Sequence, residues 1–502
     1  MAPTRAAAAL AGVLSAAVAL GVGEFAAGLL GAESPVVAVA DAAVAATPEG
    51  LKQFAIASFG TADKAVLVAG VLVVVGLWAA ATGLAGRLRR WAGIAGVVVF
   101  GLLGALAAAT APAGSPLDVA PAAGGRGRRR RPAGAAHPVR RRRACAGGRP
   151  PRLRPGHRGS ARDGGGRRRW WPGAPAPPRG GRRPGRPRAA PGHRPRPRLP
   201  DGADLVGAVD GLTPLITDAA DFYRVDTAIQ VPQLDPSRWS LTLSGMFDRP
   251  GSITLAELFD RPDVVERDIT LTCVSNEVGG TLAGTARWLG VPLGPLLQEF
   301  GIRSGADQLL CRSSDGMTIG TPTRAALDIA DAMLAFGMNG EPLPVEHGFP
   351  VRMVVPGLYG YVSACKWLTG IEATTFDAQD AYWVQRGWAA EGPIKIASRI
   401  DTPVRDVDAG QVVVAGVAWA QGTGIELVEV RVDDGRWREA ELSPEVGPDL
   451  WRQWYLPVDL DRGTHQVSVR ATDADGRRQP EEQAPPFPDG ATGWHTVEVQ
   501  AG

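Results

Sequence analysis

Cysteine is scarce in this chain, whose 502 residues include four: Cys145, Cys273, Cys311 and Cys365. None of them stands in a Cys-x-x-Cys pair, and none is spaced with histidine as in a zinc finger. So few cysteines exclude a disulfide-rich scaffold, but they leave room for a single functional thiolate.

Acidic residues and lysine are almost missing from residues 121–200, where Asp163 is the one acid among arginine, proline and glycine. Because large apolar residues are nearly absent as well, this stretch cannot bury a core. A basic tail could bind nucleic acid or anionic lipid, but the abrupt limits of the stretch favour a linker or a shifted reading frame. We therefore predict residues 113–204 to be a disordered or frame-shifted segment without a function, and we predict no nucleic-acid partner.

Charged residues are also rare in residues 1–112, which contain three long apolar runs at 6–32, 65–85 and 91–112. About 20 apolar residues span a bilayer, so we predict a transmembrane region of about three helices. Arg87 and Arg89 lie between the second and third runs, which places this loop in the cytoplasm. The prediction is a multi-pass protein of the cell membrane whose globular part faces the extracytoplasmic side. A cleaved signal peptide is the alternative for the first run.

Residues 205–397 have the pattern of a globular α+β domain. Residues 239–245 and 268–274 alternate apolar and polar side chains as β-strands do, and Cys273 stands near the end of the second segment. Short helices are predicted after Ser252, a candidate N-cap, and from residue 291. Strands and helices follow one another without a βαβ rhythm, which favours an α+β fold.

Residues 398–502 have the pattern of an all-β domain. Short alternating segments occur at 428–432, 465–471 and 495–499, and Asp433-Asp-Gly435 has the composition of a hairpin turn. Short strands separated by Gly and Asp turns predict a β-sandwich.

Six short motifs give the second half of the chain a family resemblance. In chain order they are Phe222-Tyr-Arg-Val-Asp226, Leu271-Thr-Cys-Val-Ser-Asn276, Ala286-Arg-Trp-Leu-Gly290, Met338-Asn-Gly-Glu-Pro-Leu343, His347-Gly-Phe-Pro-Val-Arg352 and Lys366-Trp-Leu368. In this order they resemble the sulfite oxidase family of molybdopterin-dependent oxidoreductases, from about residue 215 to the C-terminus. The resemblance implies a central molybdopterin-binding domain, a molybdenum-molybdopterin cofactor, and a C-terminal immunoglobulin-like domain that forms a homodimer.

The same resemblance implies which residues bind the cofactor. Cys273 matches the thiolate ligand of molybdenum, and a soft thiolate suits such a metal; a buried structural cysteine is the alternative. Arg352 stands inside an apolar run, where an unpaired charge would be costly, so its position agrees with a phosphate partner. The residues that match cofactor contacts are Phe222, Tyr223, Asn276, His347, Arg352, Ser363, Cys365 and Lys366.

The chain departs from the family pattern in two places near the metal. The family's basic pair after the Cys-x-x-Asn motif is replaced by Glu277 and Val278, and its active-site tyrosine falls on Trp388. Arg224 matches an arginine that the family places near the metal, where it can contact an anionic substrate. We expect Cys273, Arg224 and Trp388 to be the catalytic residues, and we expect weaker binding of a dianion such as sulfite.

The predicted function is oxygen-atom transfer on a small sulfur-containing or related substrate outside the cytoplasm. Electrons are expected to pass to or from an external carrier, a haem protein or a quinone-linked one, because no haem domain is recognisable. One alternative is a sulfoxide reductase of the same family. The other is a non-enzymatic, membrane-anchored β-sandwich binding protein.

Overall fold

The computed structural model describes residues 4–30, 39, 63–89, 91–99, 199–228, 230–404 and 406–502. Most of the predicted disordered or frame-shifted segment (113–204), and the end of the third apolar run, lie outside these residues.

Two long helices, Arg5–Leu30 and Asp63–Leu88, and a helical stretch at 91–99 form the N-terminal part. Among the described residues, one helical segment, Ala69–Leu88, is long and apolar enough to cross a membrane, and Arg5–Gly21 is a shorter apolar segment.

Small side chains bring the two long helices together. Ala8 and Ala79 are buried, and a Cβ atom added to Gly12 would lie 3.2 Å from the Cα atom of Gly83. Such close contact between backbones is the way in which helices associate when both faces are apolar.

Ten strands build the central domain. They are β1 (Ser240–Gly245), β2 (Gly251–Thr254), β3 (Val265–Thr272), β4 (Ala283–Pro292), β5 (Gln308–Ser313), β6 (Thr318–Pro322), β7 (Met333–Met338), β8 (Glu341–Pro342), β9 (Arg352–Val354) and β10 (Leu368–Thr374). One sheet has the order β2-β1-β10-β5-β6; the other has β3-β4-β7-β8, with β9 paired to β7. Short α-helices stand between them at Leu255–Phe259, Leu293–Glu299, Thr323–Asp328 and Gly360–Ser363, with 3-10 turns at Val345–His347 and Val384–Arg386. The α+β prediction is confirmed.

The N-cap of the first of these helices lies two residues after the predicted N-cap. Ser252 lies in β2, and Thr254 caps the helix: its hydroxyl accepts the Glu257 N–H at 3.3 Å, while the Thr254 N–H donates to the Glu257 carboxylate at 2.8 Å. This reciprocal capping box fits Thr254 because Glu stands three residues after it, whereas Ser252 has no such partner.

Eight strands build the C-terminal region. They are β11 (Ala397–Thr402), β12 (Gly410–Trp419), β13 (Ile425–Val432), β14 (Arg438–Glu439), β15 (Glu441–Leu442), β16 (Arg452–Leu460), β17 (Gly463–Asp473) and β18 (His495–Ala501). Two four-stranded antiparallel sheets, β11-β12-β16-β15 and β14-β13-β17-β18, share a core that includes Trp454 and Val428. The turn predicted at Asp433 connects β13 to β14, and Asp433 has a φ of 51° there.

Strand β3 is fastened to the C-terminal region. The Thr270 N–H donates to the Asp449 carbonyl at 2.9 Å, and the Thr270 hydroxyl accepts the Trp451 N–H at 2.8 Å. The Trp451 indole in turn donates to the Leu215 carbonyl at 3.0 Å. These contacts hold the strand that ends immediately before Cys273.

Candidate active site

Cys273 lies in a tight turn directly after β3. Its N–H donates to the Leu282 carbonyl at 2.9 Å, and its own carbonyl accepts the Asn276 N–H at 3.1 Å. The Asn276 side-chain oxygen closes the turn by accepting the Leu282 N–H at 2.8 Å. The predicted cofactor residue Asn276 therefore fixes the backbone that carries the thiol.

The Cys273 thiol is buried and is not part of a disulfide. Burial raises the pKa of this thiol, and hydrogen bonds from Ser275 oppose the rise. Within the described part of the chain, no cluster of three or more His, Cys, Asp or Glu side chains could hold a metal ion. A metal at Cys273 would therefore take its other ligands from outside the polypeptide, as a dithiolene cofactor supplies them.

Arg352 is a buried cation, and among the described residues no carboxylate forms an ion pair with its guanidinium. Its Nη1 donates to the His347 carbonyl at 3.1 Å, and its Nη2 lies 3.5 Å from the Ala364 carbonyl. Its Nε atom is buried and has no hydrogen-bond partner. Burial lowers the pKa of Arg352 to about 10. An anionic ligand would satisfy both the charge and the unused donor.

Lys366 and Arg224 share one carboxylate. Lys366 Nζ lies 2.7 Å and Arg224 Nε lies 2.9 Å from Oδ2 of Asp226, whose side chain is buried. Burial lowers the pKa of Lys366 to about 8, although Asp226 opposes this shift. Two cations on one carboxylate leave one positive charge for an anion.

A left-handed glycine lets two of these cations approach each other. Gly348 has a φ of 111°, and a Cβ atom on it would lie 3.0 Å from the Cβ of Lys366 and 3.1 Å from the Cβ of Arg352. Any larger residue would push the two side chains apart, so glycine is needed at this position.

Aromatic rings pack around this cation cluster. Phe222 stacks on Tyr223 with ring centres 5.2 Å apart, and it meets the His347 ring edge-on at 5.5 Å. His347 Nε2 lies 2.7 Å from the Ala219 carbonyl, and burial lowers the pKa of His347. An imidazole N–H at this atom would donate to the carbonyl, which fixes the orientation of the ring.

Tyr223 connects the thiol to the cation cluster. Burial raises the pKa of Tyr223, a charge at Cys273 raises it further, and Arg352 lowers it. Contacts join three of the residues predicted to bind phosphate, since Arg352 donates to the His347 carbonyl and lies next to Lys366 beside Gly348.

The side chains of Ser363 and Cys365 contact backbone carbonyls of neighbouring residues. The Ser363 hydroxyl donates to the Leu358 carbonyl at 2.9 Å, and the Cys365 thiol lies 3.8 Å from the Lys366 carbonyl. Both side chains are buried. Any contact of these two residues with a cofactor would therefore involve their backbone.

Trp388 lies in an aromatic cluster close to the Cys273 turn. Its ring centre is 6.0 Å from that of Tyr361 and 5.3 Å from that of Phe487, and Val274, which follows Cys273, belongs to the same buried cluster. The Trp388 Nε1 atom is buried without a hydrogen-bond partner. An unused buried donor is costly to the fold unless a ligand accepts from it.

Sequence reasoning did not single out Tyr359, Asp226 or Trp288. Tyr359 is buried, and Cys273 is among the causes that raise its pKa, to about 12. Trp288 lies under Arg352, whose guanidinium carbon is 4.9 Å from the ring centre. Asp226 and Trp288 both lie inside motifs that carry the family resemblance, so the sequence could have indicated them as site residues. Tyr359 lies in none of these motifs.

Comparisons with known proteins agree with this geometry. Residues 228–383 match the family described as oxidoreductase molybdopterin binding domain. Mitochondrial sulfite oxidase of Rattus norvegicus is 30% identical over 325 residues, which cover 54% of this chain and 59% of the relative. Sulfite oxidase of Gallus gallus is 29% identical over 310 residues, 51% of this chain and 66% of the relative. The chain thus spans less than two thirds of the length of these sulfite oxidases.

More distant similarities extend the comparison. Nitrate reductase [NAD(P)H] of Hordeum vulgare is 28% identical over 315 residues, which cover 50% of this chain and 35% of the relative. The solved structure of the sulfane dehydrogenase SoxCD from Paracoccus pantotrophus has a TM-score of 0.50 and 22% identity, covering 62% of this chain and 88% of that one. This structural likeness supports the fold.

The α+β domain, the buried thiol of Cys273 and the buried cations are the features of a molybdopterin-binding domain, which the matched family model also describes. The residues fit the cofactor: Cys273 is a buried free thiol at the end of a strand, and Arg352 holds an unused donor. Residues 228–383 match the molybdopterin-binding domain model, and a longer stretch of the chain is similar to sulfite oxidases.

Proposed function

We propose that this protein is a membrane-anchored molybdopterin oxidoreductase that transfers an oxygen atom between water and a small sulfur-containing substrate outside the cytoplasm. One observation carries the proposal: the Nε donor of the buried cation Arg352 has no hydrogen-bond partner, in a domain whose Cys273 is a buried free thiol. A thiol ligand and a buried cation with an unused donor are what a phosphorylated metal cofactor requires.

When bound, the molybdenum-molybdopterin cofactor supplies the two-electron redox change that oxygen-atom transfer requires. Cys273 would be its protein ligand. Arg352, Lys366 and His347 would hold its phosphate, because Arg352 keeps an unused donor and Lys366 and Arg224 share one carboxylate. Arg224 would orient the substrate, since its side chain is 37% exposed.

The remaining residues would shape the cavity around the cofactor. Phe222 and Tyr223 would flank the pterin with their stacked rings, and Asn276 would keep the thiol turn rigid. Ser363 and Cys365 would contribute backbone groups. Trp388 would offer its unused indole N–H to the substrate.

Three further features belong to the proposal. The helices Arg5–Leu30 and Asp63–Leu88, together with a span beginning at residue 91, would anchor the chain in the cell membrane. The C-terminal region would be an immunoglobulin-like domain that forms a homodimer, and its two four-stranded sheets support this. Electrons would pass to an external carrier, a haem protein or a quinone-linked carrier.

A sulfoxide reductase of the same family is the second candidate function. Glu277 and Val278 favour it, because they line the cleft next to Cys273, where a sulfite-binding enzyme needs positive charge. A non-enzymatic binding protein is the third alternative, and it requires no metal.

The proposal is tested on the full-length protein, purified from a host that synthesises the cofactor. We expect about one molybdenum atom per chain, pterin fluorescence in the denatured protein, and reduction of cytochrome c that depends on a sulfur substrate. A purified, folded protein without molybdenum and pterin would leave the binding-protein alternative standing. Molybdenum with electron flow only from a reduced carrier to a sulfoxide would assign the reductase.

A further inference from the structure

A cleft between the central domain and the C-terminal region opens beside the Cys273 turn. Thr272 precedes Cys273 in the chain, and residues 276–279 follow it. Residues of both regions line the cleft. From the central domain these are Thr272, 276–279, Tyr359 and 395–396, and from the C-terminal region they are 397–398, Trp419, Gln479 and 491–493. Cys273 itself does not line the cleft, so the cleft borders the thiol turn through its neighbours Thr272 and Asn276, and a molecule in it meets both domains.

Two charged side chains line this cleft among the described residues, Glu277 and Lys395. The charge of Lys395 is already compensated, because its Nζ lies 3.0 Å from the Asp489 carboxylate and 2.8 Å from the Gly490 carbonyl. Glu277 is exposed to the cleft side of the turn. Glu277, Lys395 and Asp489 together carry a net charge of −1.

The charged groups behind the cleft do not change this balance. Arg399 lies 2.6 Å from the Asp401 carboxylate, with both side chains buried, and it donates to the Gly280 carbonyl at 3.0 Å. Burial lowers the pKa of His495, so this ring, whose Nδ1 accepts the Ile400 N–H, is neutral at pH 7. A dianion entering the cleft would therefore lose its hydration without meeting an uncompensated cation.

Uncharged polar groups are available instead. The Thr272 hydroxyl is buried and has no hydrogen-bond partner. The Tyr359 hydroxyl accepts the Lys395 N–H at a long 3.4 Å, and its own proton remains available for donation. Hydroxyl donors without a net positive charge suit a polarised but uncharged oxygen.

We propose that Glu277 and Asp489 determine substrate specificity by giving the cleft a net negative charge that repels anions. The enzyme would then act on an uncharged sulfur compound in preference to sulfite. Asp489 acts through Lys395, whose charge it cancels. This inference rests on the proposed function, since it concerns the substrate of the same site. It assigns a role in substrate selection to the C-terminal region, which contributes Asp489.

The reaction with an uncharged probe is balanced as follows. Dimethyl sulfide and water give dimethyl sulfoxide, two protons and two electrons; the new bond joins sulfur to oxygen, and sulfur is oxidised by two electrons. The electrons leave to the external carrier, taken up as two one-electron equivalents by a haem protein. The reverse reaction consumes the same protons and electrons.

The test uses the molybdenum-loaded full-length enzyme, with Glu277→Gln and Asp489→Asn as the informative variants. Asp489→Asn keeps a hydrogen-bond acceptor for Lys395 but frees its charge. Glu439→Gln is the matched control, because Glu439 is an exposed carboxylate in the edge strand β14, far from the cleft. Molybdenum content, kcat/KM for sulfite and for dimethyl sulfide, and sulfate affinity by calorimetry are measured for all four proteins.

We expect the parent enzyme to turn over dimethyl sulfide with a kcat/KM at least about 100-fold above that for sulfite. Each cleft variant should raise kcat/KM for sulfite and the affinity for sulfate about tenfold, and the control should change neither. Preference of the parent enzyme for sulfite, or unchanged sulfate affinity in both variants, overturns the inference while a full molybdenum content leaves the proposed function intact. Loss of molybdenum and pterin from the parent enzyme itself overturns both.

Discussion

The guanidinium carbon of Arg352 lies 4.9 Å from the centre of the Trp288 ring, while the Nε atom of the same arginine is buried without a hydrogen-bond partner. The indole face stabilises the cation from one side. The unused donor on the other side marks where an anionic group would bind.

Replacing Arg352 should therefore separate cofactor binding from folding. We expect Arg352→Met to lower the molybdenum and pterin content more than tenfold, because the phosphate loses a buried cation and its unused donor. The free energy of unfolding of the cofactor-free protein should stay within about 1 kcal/mol, since an uncompensated buried charge is removed. Metal analysis and thermal melting measure the two effects. Arg303→Met, which removes an exposed partner of Asp248, should change neither, and equal loss of metal in both variants would refute the assignment.

The lowered pKa of Lys366 predicts pH-dependent anion binding by the cofactor-free protein. With a folded-state pKa of about 8, below its ordinary 10.5, Lys366 is charged at pH 7 and neutral at pH 9. We expect the affinity for sulfate, which does not titrate in this range, to fall about tenfold between these pH values. Calorimetry of Lys366→Met should show weaker binding without this pH dependence. The same pH dependence in the variant would contradict the role of Lys366.

Asp449 should destabilise the folded protein at neutral pH. Burial raises its pKa from 3.8 to about 6, so the folded protein holds this proton more tightly than the unfolded chain does. The free energy of unfolding therefore falls as the pH rises from about 4 to about 6. The total loss is about 3 kcal/mol at most, and it is complete above pH 6. We expect Asp449→Asn to raise the melting temperature at pH 7.5, and the gain should vanish below about pH 4. A gain that persists at low pH would reject this explanation.

The unused Nε1 donor of Trp388 predicts a kinetic effect without a matching loss of stability. Trp388→Phe removes an unsatisfied buried donor, which offsets part of the cost of the smaller ring. We expect kcat/KM to fall about tenfold, with little change in melting temperature. Trp454→Phe is the matched control, because Trp454 Nε1 is also buried without a partner but lies in the C-terminal core. Equal kinetic effects in both variants would remove Trp388 from the active site.

Local sequence features predicted much of the fold. Alternation located β1 and β17, and the Asp433 turn was evident from its composition. The parallel pairing of β1 with β10 was beyond such reasoning, because Thr242 and Gly370 are brought together by the whole intervening domain. Strand β3 is buried from Asp268 onward on both faces, so its alternating sequence does not mark an exposed side.

Some residues of the candidate site could likewise be predicted from the sequence, and others could not. The motifs predicted Cys273, His347, Arg352 and Lys366 as cofactor residues, and contacts in the structure join the last three of them. That Asp226 joins Lys366 to Arg224, and that Asp489 compensates Lys395, depends on contacts between residues far apart in sequence. No spacing rule predicts such pairs, because only the tertiary fold fixes which carboxylate reaches which cation.

The most direct measurement is the sulfur coordination of molybdenum, together with turnover, in Cys273→Ser beside Cys311→Ser, both purified with the cofactor-synthesis machinery present. Cys311 is the matched control, since it is also a buried free cysteine, placed within β5. We predict that Cys273→Ser loses turnover and binds molybdenum without the thiolate signature in its absorption or X-ray absorption spectrum, while Cys311→Ser keeps both. Retained turnover and an unchanged sulfur coordination in Cys273→Ser would contradict the account.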